Sequence, residues 1–419
     1  MVKVDLVNFL LSASRGLDFT YTGLLHHHMR VAYLAQIIGA QVGLNDQELM
    51  QLFKTAIVHD AGAVTWKEKN ILLRFEIENE TRYEHCLRGF RFADGVQAFG
   101  TAADDILLHH DRWSGGNPSG LEKSRIPLRS RIIHLVDRVD VLIQPGIPIL
   151  QQRDQIMREI QSQAGEEFDP DLVDLLYRIM QRDSIWLDLV APWLQGRLEG
   201  LLPHKNSREE VTLVDLAQVF AWVVDAKSSF TYGHSQGVAM CAAILGQELG
   251  FNGDKCHLLT VAGLLHDLGK VAVPEDILEK KGKLTKAEFN LIKQHTYYTY
   301  WLLKPVLEDS PVAEWAAFHH ERLNGSGYPF QKQATELSLG SRIVAVADLC
   351  TALREERPYR PQMTWPDINK VLQQQVVGGA LDKKVVEIVL SNCRQLDEVW
   401  ESVSQTTRDL AGLQLLGRR

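Results

Sequence analysis

LLHDLGK, Leu264–Lys270, ends a run of apolar residues at helical spacing on a His–Asp pair, and the residues around it decide how the chain folds. His234 stands 32 residues before His266, and His295 stands 29 residues after it. The doublet His319-His320 in HHERLNGSGYP and Asp348 in RIVAVAD complete the series. Taken singly, a histidine on an apolar helical face is ordinarily a satisfied core residue, and a lone buried aspartate a cap or an ion-pair partner. Taken jointly, that reading fails. Uncompensated burial of so many ionisable groups is costly, whereas shared cations satisfy them together. Imidazoles with two carboxylates on helices are the ligand mix of two adjacent first-row transition metals in a bundle core, which predicts metal-assisted hydrolysis.

A shift of about 207 residues lays the first half of the chain on the second. HHMRVAYLAQIIGAQVGL from His27 lies against HSQGVAMCAAILGQELGF from His234, and both run 32 residues to a His–Asp pair, His59-Asp60 or His266-Asp267. His85 to His109 and His295 to His319 are both 24 residues, and each interval ends in a His–His doublet. RIIHLVD ends at Asp137 as RIVAVAD ends at Asp348. Apolar residues such as Val31, Leu34, Ala35 and Ile38 recur at helical spacing, and strand-like alternation is scarce. The pattern predicts an all-α protein of two tandem helical bundles related by duplication, over residues 1–204 and 208–419, with a polar join around 202–208.

HDLGK, followed by HHERLNGSGYP and ADLCTALREERPYRP over roughly residues 208–400, resembles the HD-GYP branch of the HD phosphohydrolases. HD is His266-Asp267 and GYP is Gly327-Tyr328-Pro329. The resemblance implies HD-type bundles and a bimetal site in the second. His234, His266, Asp267 and Asp348 would serve one metal, and Asp267 would bridge to another held by His295, His319 and His320. It implies catalytic roles for Asp267 and for Lys270, whose ammonium would meet a phosphate oxygen, and substrate contacts from Tyr328, Arg357 and Arg360. Two divalent ions are expected, iron or manganese, with nickel, cobalt, magnesium and zinc left open.

The implied activity is that of a phosphodiesterase opening 3′,3′-cyclic GMP-AMP, cyclic di-GMP or both to the linear dinucleotide, and onward to mononucleotides. A non-catalytic cyclic-dinucleotide sensor or adaptor is one alternative, opposed by the intact ligands and Lys270. A nucleotide phosphohydrolase of the wider HD superfamily is another, opposed by the GYP loop and RPYRP. The chain departs from the family pattern in places. HTYYTYWLL replaces the usual Pro and Gly after His295, which is expected to turn tyrosines towards the pocket. Phe230 stands where members with a third metal have Glu, favouring two metals, and Asn324 and Thr351 replace common Asp residues.

The first half is a divergent HD-like copy with a second candidate metal set, His27, His59, Asp60, His85, His109, His110 and Asp137. Ala63 stands in the place of Lys270, the GYP loop is shortened to SGGNPSG, and RPYRP has become LIQPGIP. A copy with ligands but no phosphate-gripping cations is expected to bind metal without turning over substrate. A metal-binding scaffold ranks first, ahead of a second hydrolase or a set of relic ligands.

Composition narrows the partners. The 419 residues carry a net charge of −8, 45% hydrophobic and 23% charged residues. No basic stripe is present to bind long nucleic acid. No signal peptide and no apolar run long enough for a membrane span are evident, and the five cysteines are scattered, so a cytoplasmic protein is expected. The expected partner is the cyclic dinucleotide, with a signalling protein or a second copy of the chain left open.

Overall fold

A computed structural model describes residues 3–20, 23–24, 26–75, 79–94, 96–203, 210–228, 233–355 and 361–403. Most of the 202–208 join therefore lies outside the described residues, as do Phe230, Arg357 and Arg360. The chain divides into two compact units. One comprises Leu6–Glu209, and the other Glu210–Arg419 together with Met1–Asp5. The N-terminal strand Lys3–Asp5 belongs to the second unit because it pairs antiparallel with Glu210–Thr212, Lys3 opposite Thr212. Each unit is helical, as its apolar periodicity predicts. The other sheet among the described residues is the pair Phe19–Thr20 and Gly23–Leu24.

In the first unit the helices that matter for the site are His27–Gln41, Asp46–Val58, Asn79–Ala93, Ala102–Leu107 and Leu128–Val141. In the second they are His234–Glu248, Gly253–Leu265, Lys286–Leu303, Val312–Ala317 and Leu339–Arg354. The starts of the corresponding helices use the same chemistry. Asn45 and Asn252, one repeat apart, each accept a backbone N–H three residues on, from Glu48 and Lys255. Asp18 and Asp225 sit ahead of the helices that open on His27 and His234. Asp18 accepts from the backbone and ring of His28, and Asp225 from the backbone and hydroxyl of Ser235. These buried carboxylates fix the first turn, and with it the histidine at the helix head.

Apolar faces hold each unit together. Leu34, Ile38, Leu52, Phe53 and Ile57 are wholly buried in the first, and Val238, Leu245, Leu259, Ala262 and Leu265 in the second. Each of the Val, Leu, Ile and Phe side chains among them contributes about 1.5–3 kcal/mol on burial. Two glycines set how closely the ligand-bearing elements approach. A Cβ on Gly269 would lie 1.9 Å from the His295 carbonyl oxygen, and one on Gly62 would lie 2.0 Å from that of His85. The glycine two residues after each HD aspartate thus lets the next histidine helix close onto the HD turn. In the second unit Thr299 clasps this junction, accepting from the Gly269 N–H at 2.9 Å and donating to the His266 carbonyl at 3.0 Å.

Candidate metal centres

The second unit brings all seven of its predicted ligands together, each placed at a helix end or on an inward face. His234 is the first residue of its helix, His266 follows directly on Gly253–Leu265, and His295 and Asp348 lie within long helices. Among the described residues, five rings are anchored in one way. Nδ1 of His59, His109, His266, His295 and His319 each meets the carbonyl three residues earlier. An N–H donated there from Nδ1 leaves the lone pair on Nε2, which turns inward.

The Nε2 atoms converge on the carboxylates. Asp267 Oδ2 lies 3.2 Å from His266 Nε2 and 3.9 Å from His234 Nε2, while its Oδ1 lies 3.4 Å from His295 Nε2 and 3.8 Å from His319 Nε2. Asp348 Oδ1 closes the first group, 3.3 Å from His234 and 3.8 Å from His266. His320 completes the second, its ring 4.2 Å from that of His319. One aspartate therefore presents one oxygen to each of two histidine groups.

The donor set fits two cations on the structure's own evidence. His295 Nε2 and His319 Nε2 face each other at 3.2 Å. With both Nδ1 atoms donating to carbonyls, these are two acceptors, which do not hydrogen-bond to one another. His266 Nε2 is buried with no hydrogen-bond partner. Burial holds His295 down at about 4 and His320 at about 3, against the pull of Asp267 and Asp348, so both are neutral donors at neutral pH. His234 differs: burial opposes its protonation, but Glu355 and Asp348 raise it to about 10. Asp267 is held well below the usual carboxylate range, its burial outweighed by His266, Lys270 and His295.

A cavity of about 380 Å³ opens beside this cluster, lined among others by His234, Asp267, Lys270, His320, Arg322 and Asp348. Lys270 lies on a short 3-10 turn, Leu268–Ala272, and its ammonium reaches Asp267 Oδ2 at 2.5 Å. Tyr328 borders the cluster, its ring 4.9 Å from that of His320. A Cβ on Gly327 would meet the backbone of Glu321 at 2.4 Å, so the GYP loop passes where only glycine fits. Glu321 ties the loop down by accepting from the N–H groups of Phe330 and Lys332.

Some expectations change. Tyr297 and Tyr300 do not turn to the cavity: Tyr297 is 46% exposed, and Tyr300 stacks on Phe318. With His295 pointing inward, a residue two positions on is carried about 200° round the helix. Asn324 lies away from the cavity lining and holds its own loop, donating to the Gly378 carbonyl and accepting from Ser326. Three groups escape the sequence reading. Glu355 accepts from His234 Nδ1 at 2.8 Å, and Asp140 from His27 Nδ1 at 2.7 Å. Arg322 lines the cavity with one guanidinium nitrogen buried and unpartnered.

The first unit repeats the skeleton. Asp60 Oδ2 lies 3.7 Å and 3.6 Å from Nε2 of His27 and His59, and Asp60 Oδ1 lies 3.1 Å and 3.5 Å from those of His85 and His109. Asp137 Oδ1 is 3.4 Å from His27 and 3.8 Å from His59. Its surroundings differ. Buried Arg138 takes Asp137 Oδ2 at 2.6 Å and donates to the carbonyls of Arg74 and Leu72, whereas the matching Leu349 lines the open cavity. The space described beside His27 and Asp60 amounts to about 30 Å³.

The profile of the HD domain family matches residues 14–172 and again 218–385. The 3′3′-cGAMP-specific phosphodiesterase 1 of Vibrio cholerae serotype O1 is 32% identical over 410 residues, covering 94% of this chain and 93% of that protein. The cyclic di-GMP phosphodiesterase response regulator RpfG of Xanthomonas campestris is 33% identical over 329 residues, 75% of this chain and 82% of its own. A crystal structure of a cyclic GMP-AMP-specific phosphodiesterase from V. cholerae superposes with a TM-score of 0.64 at 26% identity, covering 96% of this chain and 98% of that one.

Proposed function

The chain belongs to the HD domain family, and from that premise we propose that it is a metal-dependent phosphodiesterase acting on a cyclic dinucleotide at the second-unit site. Its substrate on this reading is 3′,3′-cyclic GMP-AMP, with cyclic di-GMP the competitor. Two proteins named for the former align along nearly the whole tandem chain, whereas RpfG, named for the latter, covers less of it. A divergent first domain and a catalytic second domain are part of the proposal, as are iron or manganese as the second-unit metals. So is a cytoplasmic location, in keeping with five free cysteines.

The observation that carries the reading is Asp267, facing a histidine group with each oxygen beside a cavity of about 380 Å³. When bound there, a pair of divalent cations supplies Lewis acidity to a phosphodiester and lowers the pKa of a shared water. His234, His266 and Asp348 would hold one, His295, His319 and His320 the other, and Asp267 both. The carbonyls behind Nδ1 of His266, His295 and His319 fix those rings in orientation and tautomer. Glu355 does the same for His234 by accepting from its Nδ1, so that the proton a bound cation would displace is the one on Nε2. Lys270 and Arg322 converge on the cavity and would neutralise charge building on the non-bridging phosphate oxygens. Tyr328 would border one base, and Arg357 and Arg360 are proposed to grip phosphate or a guanine edge.

The test incubates metal-loaded protein separately with both cyclic dinucleotides and with simple nucleotides, and resolves the products by chromatography. Linear dinucleotide from cyclic GMP-AMP is expected. Binding without product would support the sensor alternative, and hydrolysis of simple nucleotides alone the wider superfamily.

A further inference from the structure

The first unit carries a group that its counterpart lacks. Directly after His85 comes Cys86, where the second copy has Thr296 after His295. Thr296 turns back on its own helix, donating to the Lys293 carbonyl at 2.9 Å. Cys86 faces the histidines. It is fully buried, with Sγ 3.5 Å from His85 Nε2, 3.6 Å from His109 Nδ1 and 4.0 Å from His109 Nε2. The two Nε2 atoms stand 3.3 Å apart, and Asp60 Oδ1 lies 3.1 Å and 3.5 Å from them.

The His85–His109 and Cys86–His85 spacings are those of a coordination shell, and Cys86 to His109 Nε2 is about 0.4 Å wider. Nitrogens about 2.0–2.1 Å and a thiolate about 2.3 Å from one tetrahedral ion stand roughly 3.3 Å (N to N) and 3.6 Å (N to S) apart. A second, independent observation points the same way. His110 is 1% exposed, its ring is 4.2 Å from that of His109, and neither of its nitrogens has a hydrogen-bond partner. A buried imidazole left unsatisfied on both sides is costly, and one ligand bond together with a small shift relieves it. Cys86, His85, His109 and His110 lie with their donor atoms within 4.8 Å of one another.

We propose that Cys86 is a thiolate ligand, with His85, His109 and His110, of a metal ion in the first unit, and that this site takes a thiophilic divalent cation, zinc being the best match. A thiolate softens the donor set relative to the all-histidine and carboxylate groups of the second unit, so the two units select different ions. Uptake of the ion releases the thiol proton. With Asp137 tied to Arg138 and Ala63 in the place of Lys270, the ion is structural or regulatory and meets no dinucleotide. The proposal rests on the reading that the first unit holds metal at all.

The full-length protein, stripped and reloaded with cobalt(II), supplies the test, because thiolate ligation gives a sulfur-to-cobalt charge-transfer absorption in the near ultraviolet that nitrogen and oxygen ligands do not. The band is expected in the unaltered protein and lost in Cys86→Ser, with circular dichroism confirming that the variant is folded. The unaltered protein is read without any substitution, so a variant that fails to fold leaves the first arm standing. In competition between zinc and manganese, Cys86→Ser should narrow the first unit's preference for zinc by about tenfold. A band that persists in Cys86→Ser overturns the proposal. So does its absence from unaltered protein whose cobalt content falls in His85→Ala. If His85→Ala leaves the cobalt content unchanged, the underlying reading that the first unit binds metal fails as well.

Discussion

The two units present one ligand skeleton in two settings. Asp60 and Asp267 each turn one oxygen to a first pair of histidines and the other to a second pair, at distances between 3.1 and 3.9 Å. Around that skeleton the second unit keeps a cavity of about 380 Å³, with Lys270 and Arg322 on its wall. In the first unit the space described beside His27 and Asp60 is about 30 Å³, Ala63 is buried in the place of Lys270, and Asp137 is tied to Arg138. On the proposed reading, a metal centre and a phosphodiesterase site are separable. The ligands require only the helix ends and inward faces that the repeat supplies, while turnover also requires room and positive charge.

Breaking the skeleton in the active copy should have the largest effect. Asp267→Ala removes both faces of the bridge, and hydrolysis and second-unit metal content should both collapse, by more than the about 10–100-fold typical of losing an outer-shell partner. Atomic absorption with a product assay reads both quantities, and full activity at unchanged metal content would sink the assignment of Asp267.

Removing the positive charge sharpens the comparison from the other side. Lys270→Ala and Arg322→Ala should each slow turnover by about 10²-fold while metal content stays near that of the parent, the scale of losing one preorganised electrostatic contact. Steady-state kinetics with a metal assay checks this. Equal kcat in parent and variant would make the residue a bystander on the cavity wall.

The smallest effect is expected behind the ligands. Glu355 orients His234 as Asp140 orients His27, so Glu355→Gln should weaken second-unit metal binding by about 10–100-fold, with kcat recovering at saturating metal. A metal titration of activity measures it. A fall in kcat that excess metal cannot restore would argue that Glu355 acts on substrate instead.

Much of the fold and of the site is legible in the amino-acid sequence. Apolar spacing announces the helices, and the 32- and 24-residue intervals announce both copies and the positions of their histidine and aspartate clusters. Glu355 and Asp140 are harder to see although a signal exists: they lie seven and three residues beyond Asp348 and Asp137, which at helical pitch returns them to the same face. Arg322 sits inside the HHER motif, but spacing does not say whether a cation beside a metal cluster faces solvent or a cavity. The tyrosines after His295 mislead through their bulk, whereas phase decides, since fixing His295 inward sends Tyr297 to the far side of its helix. In the sequence Cys86 is one more scattered thiol, because its approach to His109 depends on how the Asn79–Ala93 and Ala102–Leu107 helices pack.

The central claim, metal in both units and turnover in one, is tested most directly by paired substitutions in the full-length chain, each scored for metal stoichiometry and for hydrolysis of cyclic GMP-AMP. His59→Ala with Asp60→Ala should lower the metal count and leave most activity, whereas His266→Ala with Asp267→Ala should lower the count and abolish activity. Loss of hydrolysis in the first pair, with the second unit still folded and metal-loaded, would contradict the account and make the first unit a participant in catalysis.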